Sequence, residues 1–330
     1  MMNLRLIVPT DRTELVTARL ADDSRTTNLV LVPGGGLRPS GDLVQCEVTR
    51  EAASDVLGWL RGQGIYDDGS VVLSEVVSAP STNARATELA APGAPDDAIV
   101  WDAVLDTAYA EVRGSWSFYA FLTLATAIAA VAVVTDSSIL VVGAMVVGPE
   151  FGLIAALAVG LAARRLNLVG GAALLLLKGF AFAIAATVVL ALLARAAGWI
   201  DLADVTGPRP LTGFIWRPDK WSAVVAVLAG CAGVLSQTAG RSNALVGVFI
   251  SVTTVPAAGD IALSLALGAS GHLLGAAAQL GINLFGMTIA GVTTLLIQRA
   301  LWKTRSIRIG SHQTAEQPPV PSSDGDAHHR

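Results

Sequence analysis

Ser137–Leu161 reads SSILVVGAMVVGPEFGLIAALAVGL and determines the fold class of the chain. The stretch exceeds the ~20 apolar residues that a helix needs to cross a bilayer, but Gly148-Pro149-Glu150 interrupts it. The proline removes a backbone N–H and clashes with the carbonyl one turn earlier, so inside hydrocarbon the freed groups need partners within the protein or in a water-filled cavity. Glu150 is the only acid in the stretch, and an ionisable group at membrane depth suggests function. We therefore predict a polytopic membrane protein with a broken helix.

The composition supports this class and argues against others. Of the 330 residues, 53% are hydrophobic and 15% are charged, and most charges lie outside residues 116–301. The net charge of −4 gives no basic footprint for nucleic acid, so no nucleic-acid partner is expected. Cys46 and Cys231 lie in different regions and form neither a disulfide framework nor a zinc motif. With no metal set, Ser-His-acid arrangement or nucleotide loop in the apolar block, we expect no cofactor, no metal, no catalytic residue and no enzyme activity.

Residues 1–80 predict a small soluble α+β domain. Short β-rich runs at 4–8, 28–32, 42–49 and 70–77 alternate with two helical patterns at 13–20 and 50–60. The order βαββαβ is that of a ferredoxin-like domain, with a four-stranded antiparallel sheet and two helices on one face. Gly34-Gly35-Gly36 lacks the Lys-Ser/Thr of a phosphate loop and is interpreted as a tight turn.

Residues 81–114 connect this domain to the apolar block. The stretch 79–95 is small, polar and punctuated by proline, which is typical of a linker. The following 96–113 pattern predicts an amphipathic helix with an acidic polar face. An acidic face does not suit anionic lipid, so we expect it to pack on the soluble domain or on a neighbouring protomer.

The block at 115–302 is predicted to be a transmembrane domain of six helices. The apolar segments are 116–134, 138–161, 166–193, 222–239, 244–267 and 273–297. Each approaches or exceeds the length of a membrane span. The polar, Pro- and Ser-rich stretch 303–330 is predicted to be a disordered cytoplasmic tail.

The six segments contain an internal repeat of three helices. Trp116-Ser117 opens one half and Trp221-Ser222 opens the other, and Gly148-Pro149 has a counterpart in Val255-Pro256. Because three crossings are odd, the second copy enters from the opposite face. The result is a 3+3 inverted repeat with two Pro-broken helices at corresponding positions, a combination that indicates a midplane binding site in transporters.

The distribution of basic residues predicts the orientation. With both termini in the cytoplasm of a prokaryotic cell, Lys and Arg near the inner helix ends outnumber those outside, as the positive-inside rule requires for the inner membrane. The inner set is Arg113, Arg164, Arg165, Arg241, Arg299, Lys303, Arg305 and Arg308, and the outer set is Arg195, Arg209, Arg217 and Lys220.

The candidate substrate- or ion-binding residues surround the two breaks. They are Gly148, Pro149, Glu150, Lys178, Thr253, Thr254, Pro256, Asp260 and Asn283. A proline suits the first turn of a half-helix, and each half-helix start presents a positive dipole end. Glu150 and Asp260 either compensate these dipoles or face a shared cavity that binds a cation or proton.

The remaining polar candidates keep two interpretations each. Lys178 either pairs with one of the two acids or extends to the membrane interface. Asn283 occupies a related place in the second half and either joins the site or bridges helices. Thr253 and Thr254 supply hydroxyls at the second break, or simply hydrogen-bond between helices.

Several motifs resemble one family. Gly143-Ala144-Met145-Val146-Val147-Gly148-Pro149 with Gly152, then Val246-Gly247-Val248 leading to Pro256 and Gly259, then Asn283-Leu284, are similar to the bacterial and archaeal domain-of-unknown-function family 389, over roughly 116–296. The resemblance implies the membrane block but transfers no mechanism. Glu150 departs from the small or apolar residue that relatives often carry after Gly-Pro.

Two functions remain open on the sequence. The first is a transporter or channel-like protein for a small solute or ion. Its soluble domain, residues 1–80, would then be a regulatory or assembling head. The second is a non-transporting membrane scaffold or sensor, whose soluble domain binds the signal or partner. In either case small residues such as Gly230, Gly233 and Gly286 favour close helix packing and a homo-oligomer in the lipid bilayer.

Overall fold

A computed structural model describes residues 1–91, 93, 95, 98–239 and 253–313, with side chains as far as residue 301. Residues 240–252 contain Arg241, Val246-Gly247-Val248 and the first half of the predicted fifth segment, which therefore lie outside the described residues, as do Asp96 and Asp97.

The N-terminal residues form a four-stranded antiparallel sheet. Its elements are β1 (Met2–Val8), α1 (Thr13–Asp22), β2 (Thr26–Leu37), β3 (Ser40–Val48), α2 (Arg50–Gly62), α3 (Ile65–Asp68) and β4 (Ser70–Glu75). The strand order is β2-β3-β1-β4, and Leu4 pairs with Cys46 across the two central strands. Alternate residues of β1, such as Leu4 and Leu6, are fully buried in a core with α1 and α2. This topology agrees with the predicted βαββαβ order, apart from the additional short helix α3.

The predicted turn at Gly34-Gly35-Gly36 is wrong. β2 continues through the glycines to Leu37, and the chain reverses at Arg38 and Pro39 before β3 begins. The pairing of β2 with β3 is irregular between Val32 and Gly36. A Cβ atom on Gly36 would lie 2.4 Å from Ile7 Cγ2, so the absence of a side chain lets β2 stay on the sheet.

The connector contains a helix within the predicted linker, and its amphipathic helix is shorter than the predicted 96–113. Within the expected linker, α4 (Thr82–Ala90) begins where the Ser81 hydroxyl accepts a hydrogen bond from the Ala84 N–H. The amphipathic helix α5 runs over Trp101–Glu111. Arg61 of the head forms an ion pair with Asp102 at one end of α5.

At its other end α5 reaches the apolar block. A Cβ atom on Gly152 would lie 2.4 Å from Glu111 Oε2, and burial at this contact raises the pKa of Glu111. The helix therefore bridges the head and the membrane block.

The described residues of the apolar block form seven longer helices and one short one. They are α6 (Trp116–Val134), α7 (Ser138–Val147), α8 (Glu150–Ala162), α9 (Leu166–Ala196), α10 (Leu202–Thr206), α11 (Lys220–Thr238), α12 (Thr254–Leu267) and α13 (Ser270–Gln313). Among the described residues, four helices are long and apolar enough to span a membrane, and a fifth span results if α7 and α8 count as one. The chain thus has the features of a multi-pass membrane protein, with fewer confirmed spans than the six predicted.

Helix α12 lies at the centre of this block. All of its residues except Leu265 are buried, and it packs on α6, α9 and α13. A Cβ atom on Gly259 would lie 2.8 Å from the Ala130 backbone nitrogen, so α6 and α12 approach backbone to backbone. At the other end of the chain, α13 continues to Gln313, beyond the predicted start of the tail at 303, and residues 314–330 lie outside the described part.

The loop between α9 and α11 folds back onto the helices. Asp136, which follows α6, accepts hydrogen bonds from the Thr212 N–H at 2.9 Å and the Thr212 hydroxyl at 2.8 Å. Desolvation opposes ionisation of Asp136, but these bonds and those from the Leu211 N–H outweigh it, so its pKa is lowered. The predicted outer loop is therefore held against the end of α6.

Candidate functional site

The first break separates α7 from α8 by a bend of 55°. Gly148 has an extended backbone, as the residue before a proline prefers, and its N–H still donates to the Ala144 carbonyl at 3.2 Å. Pro149 occupies the N-cap of α8, where its missing N–H leaves no helical bond unmade. Glu150 is therefore the first residue of α8, as the sequence predicts.

Glu150 is buried where the two breaks meet. Glu150 is only 7% exposed, and its Oε1 accepts a hydrogen bond from the Thr254 hydroxyl. Oε2 has no hydrogen-bond partner among the described residues. A Cβ atom on Gly148 would lie 2.4 Å from Oε2 and 2.7 Å from Val255 Cγ2, so only glycine leaves room for this arrangement.

The second break is the start of α12. The helix begins at Thr254, one residue before the predicted Val255-Pro256 start, and Pro256 falls in its first turn where no N–H is needed. Thr253 Oγ1 accepts hydrogen bonds from Asn283 Nδ2 at 3.0 Å and from Gln279 Nε2 at 2.9 Å. Two adjacent threonines therefore join α12 to α8 on one side and to α13 on the other.

Asp260 is not part of this cluster. It lies six residues after Thr254, about 9 Å further along α12, beyond the first turn in which we expected it to compensate a helix dipole. The residue is fully buried, and Oδ1 accepts a hydrogen bond from Arg209 Nη1 at 2.7 Å. The predicted cavity shared by both acids is therefore not what the structure shows, since Asp260 has a cationic partner of its own.

One comparison with known proteins covers the residues of both predicted breaks. Residues 145–289 match the family model described as "Domain of unknown function (DUF389)". This segment is a DUF389 domain. It is shorter at both ends than the 116–296 range suggested by the motifs, but it contains Pro149, Pro256 and Asn283. No curated protein and no solved structure matches the chain.

A second polar cluster of the DUF389 segment surrounds Arg209 and was not predicted from the sequence. Arg209 also contacts His272 Nδ1 through Nη2 at 2.8 Å, and the His272 ring stacks on Trp216 with centroids 3.8 Å apart. Arg217 in turn lies over the Trp216 ring, 4.3 Å from its centroid. The sequence places Arg209 among the outer basic residues and does not predict its burial, but it is only 8% exposed.

Lys178 does not join either acid of the DUF389 segment. It lies on α9 with its side chain exposed at the surface of the block, and forms no ion pair within the described residues. The neighbouring Gly179 packs against Phe118, in the first turn of α6. Lys178 therefore does not pair with Glu150 or Asp260 within the described residues, and its extension to the membrane interface stays a prediction.

Gln279 is a further member of the break cluster that sequence reasoning missed. It is 2% exposed, lies one turn before Asn283 on α13 and leaves Oε1 without a partner among the described residues. Its signal was the same as that of Asn283, an amide at helical spacing on an apolar helix.

The cluster as a whole brings one carboxylate together with hydroxyl and amide groups at a buried position. Within the described residues no group of three or more His, Cys, Asp or Glu side chains converges to hold a metal ion. The arrangement suits recognition of a small species by one charge and several hydrogen-bonding groups.

Proposed function

We propose that this protein is a membrane transporter or channel-like protein for a small solute or ion, and that its site lies where the two interrupted helices meet. The hydrogen bond from Thr254 to Glu150 carries the proposal, because it joins the starts of α8 and α12 at a buried point. Interrupted helices that meet inside a membrane block are the usual site of secondary transporters.

The proposal includes six crossings arranged as a 3+3 inverted repeat. Packing supports it: α8 packs on α9 of its own half and α13 of the other, while α12 packs on α13 of its own half and α9 of the other. Likewise Gly259 of α12 packs on α6, and Gly233 of α11 packs on Phe151 of α8. These exchanged contacts are those expected of a pseudo-twofold relationship between the halves.

The membrane setting is part of the same proposal. We place the protein in the prokaryotic cytoplasmic membrane with both termini inside, in agreement with the excess of Lys and Arg near the inner helix ends. Exposed leucines on α9, such as Leu174 and Leu177, suit contact with lipid or with a second protomer of a homo-oligomer.

Single-cysteine accessibility tests the site directly. Cys46 and Cys231 are replaced, and cysteines are introduced one at a time at Val147, Thr253 and Thr254. Each variant is labelled from either side of sealed vesicles with a small water-soluble thiol reagent. We expect labelling at the break positions from at least one side, and protection by the transported species.

Two control positions show whether the reagent reaches each side of the membrane. A cysteine at exposed Leu211 should react from outside, and one at exposed Asp55 of the head should react from inside. If both controls react while every break position is inert from both sides, a water-lined site is absent and the transporter proposal fails.

The second candidate is the scaffold or sensor, favoured by a cleft between the head and the membrane block. The cleft has a volume of about 270 Å³ and is lined by Arg50 and Glu75 of the head, Thr107 of α5 and Gln237 of α11. A ligand here would touch both parts of the molecule. This candidate gains support if the breaks are inert and a small-molecule library contains compounds that raise the melting temperature of wild type but not of Arg50→Met.

A further inference from the structure

We infer that the species bound at the breaks is a small monovalent cation, an alkali-metal ion or a proton, held beside Glu150. The inference deepens the proposed function, because it names the ligand class of that same site. It rests on the charge of the cluster, on the identity of its unpaired atoms and on the number of its carboxylates.

The cluster contains one carboxylate, that of Glu150, and the described residues place no cationic side chain beside it. Among the described residues no Lys, Arg or His lies within ion-pair distance of Glu150. Lys178 is exposed elsewhere and Arg209 is bonded to Asp260. The starts of α8 and α12 each supply partial positive charge, which would favour an anion. Glu150 already provides a carboxylate at this position, so a bound anion would be repelled by it.

The unpaired atoms are acceptors. Glu150 Oε2 and Gln279 Oε1 are buried without hydrogen-bond partners among the described residues. Glu150 is 7% exposed and Gln279 is 2% exposed. The amide nitrogen of Gln279 is already used, because it donates to Thr253. Buried acceptors without donors are costly, and a cation or a proton beside Glu150 would satisfy its free oxygen and also neutralise its carboxylate.

The number of carboxylates limits the charge of the ligand. Glu150 is the single acid of the cluster, and the other oxygens come from neutral side chains of Thr253, Thr254, Gln279 and Asn283. Calcium sites use six to eight oxygens and generally several carboxylates, and magnesium demands octahedral geometry. One carboxylate with neutral oxygens matches a single positive charge.

The test measures cation binding on the full chain in lipid nanodiscs. Na⁺, Li⁺ and K⁺ are each titrated against choline at constant chloride, ionic strength and pH, and the melting temperature is followed. In a separate series the pH is varied in choline alone. We expect a saturable rise in melting temperature with one alkali cation, or a rise as the pH falls in choline, and an apparent affinity at least ~10-fold weaker in Glu150→Gln.

Two further variants keep the test falsifiable. Glu111→Gln removes a carboxylate that approaches Gly152 of α8 but lies outside the cluster, and it should respond to cations as wild type does. Thr254→Val removes the hydroxyl bonded to Glu150 with little change in shape, so it weakens cation binding even if Glu150→Gln fails to fold.

Each outcome bears on the inference. An alkali response lost in Glu150→Gln supports a metal cation, and a pH response lost in the same variant supports a proton. The inference is overturned if neither response occurs, or if Glu150→Gln and Thr254→Val respond as wild type does. Cation binding without cysteine accessibility would support this inference while the proposed function fails. Cysteine accessibility without cation binding would support the proposed function while this inference fails.

Discussion

The guanidinium of Arg209 donates to the carboxylate of Asp260 at 2.7 Å, with side chains that are 3% and 0% exposed. Arg209 comes from the loop after α9 and Asp260 from the middle of α12. The pair therefore fastens the loop between α10 and α11 to the buried helix α12. His272 of α13 contacts the same guanidinium, so three parts of the chain meet at one charge.

Removing one partner of this pair leaves the other charge buried and unpaired. We expect Arg209→Met and Asp260→Leu each to destabilise the folded protein by about 3–5 kcal/mol. The double variant should be less destabilised than the sum of the two, because no unpaired charge remains. Reversible unfolding in mixed micelles measures all three free energies, and strict additivity would show that the two side chains do not interact in the folded state.

The close approach of α12 to α6 predicts a sharp contrast between two glycines. A Cβ atom on Gly259 would lie 2.8 Å from the Ala130 backbone nitrogen, whereas nothing lies within 4 Å of a Cβ atom on Gly281 of α13. Gly259→Ala should therefore cost about 1–3 kcal/mol through overpacking, while Gly281→Ala should be neutral or stabilising by up to ~1 kcal/mol. The same unfolding assay compares them, and equal effects would contradict the backbone contact.

The head should lose a stabilising charge in acid. Side-chain hydrogen bonds from Arg25 lower the pKa of Asp23 from 3.8 to about 2, and its side chain is 5% exposed. Because the folded-state pKa is depressed, the ionised form stabilises the fold above pH ~4, and this contribution is lost as the pH falls towards 2. Asp23→Asn should therefore lower the melting temperature at pH 7, with a difference that shrinks in acid.

Circular dichroism of the full chain in detergent follows this melting temperature across pH. Exposed Asp22→Asn is the matched control and should change little at any pH. A difference between wild type and Asp23→Asn that stays constant from pH 7 to 3 would refute a stabilising role of the Asp23 carboxylate.

Arg50 predicts a mechanical link between the head and the block. It donates to the Thr238 carbonyl at the end of α11 at 2.7 Å and pairs with Glu75 at 3.0 Å. Arg50→Met should therefore speed amide exchange in the last turn of α11, as measured by hydrogen–deuterium exchange, while the exposed Arg85→Met should not. Unchanged exchange in Arg50→Met would mean that the contact does not hold the two parts together.

Hydropathy and capping predicted the local structure well. The span 116–134 has the observed bounds because its apolar run is continuous and the Ser115 hydroxyl accepts from the Phe118 N–H at its start. The first break followed from Pro149, whose effect on a helix is local. The buried position of Glu150 likewise followed from its place within an apolar stretch.

Tertiary contacts account for what the sequence did not predict. Nothing local distinguishes Arg209 from other loop arginines, so its burial against Asp260 required knowing that the loop folds inward. Gln279 was overlooked although it shares the spacing of Asn283 on α13, because one amide on an apolar helix does not reveal its partner. The turn predicted at the glycines of β2 is wrong because their strand conformation depends on pairing with β3, which is not a local property of the sequence.

Helix α12 has a consequence for how the protein enters the bilayer. It has 14 residues, fewer than a span requires, and carries Asp260 at its middle. A carboxylate at the centre of an inserting helix costs about 2.5–3.5 kcal/mol at the translocon, so α12 is a poor substrate for membrane insertion by itself. It must be accommodated together with the Arg209 loop and with α6 and α9 already in place. We therefore expect the second half of the block to fold on helices that the first half has already placed in the membrane.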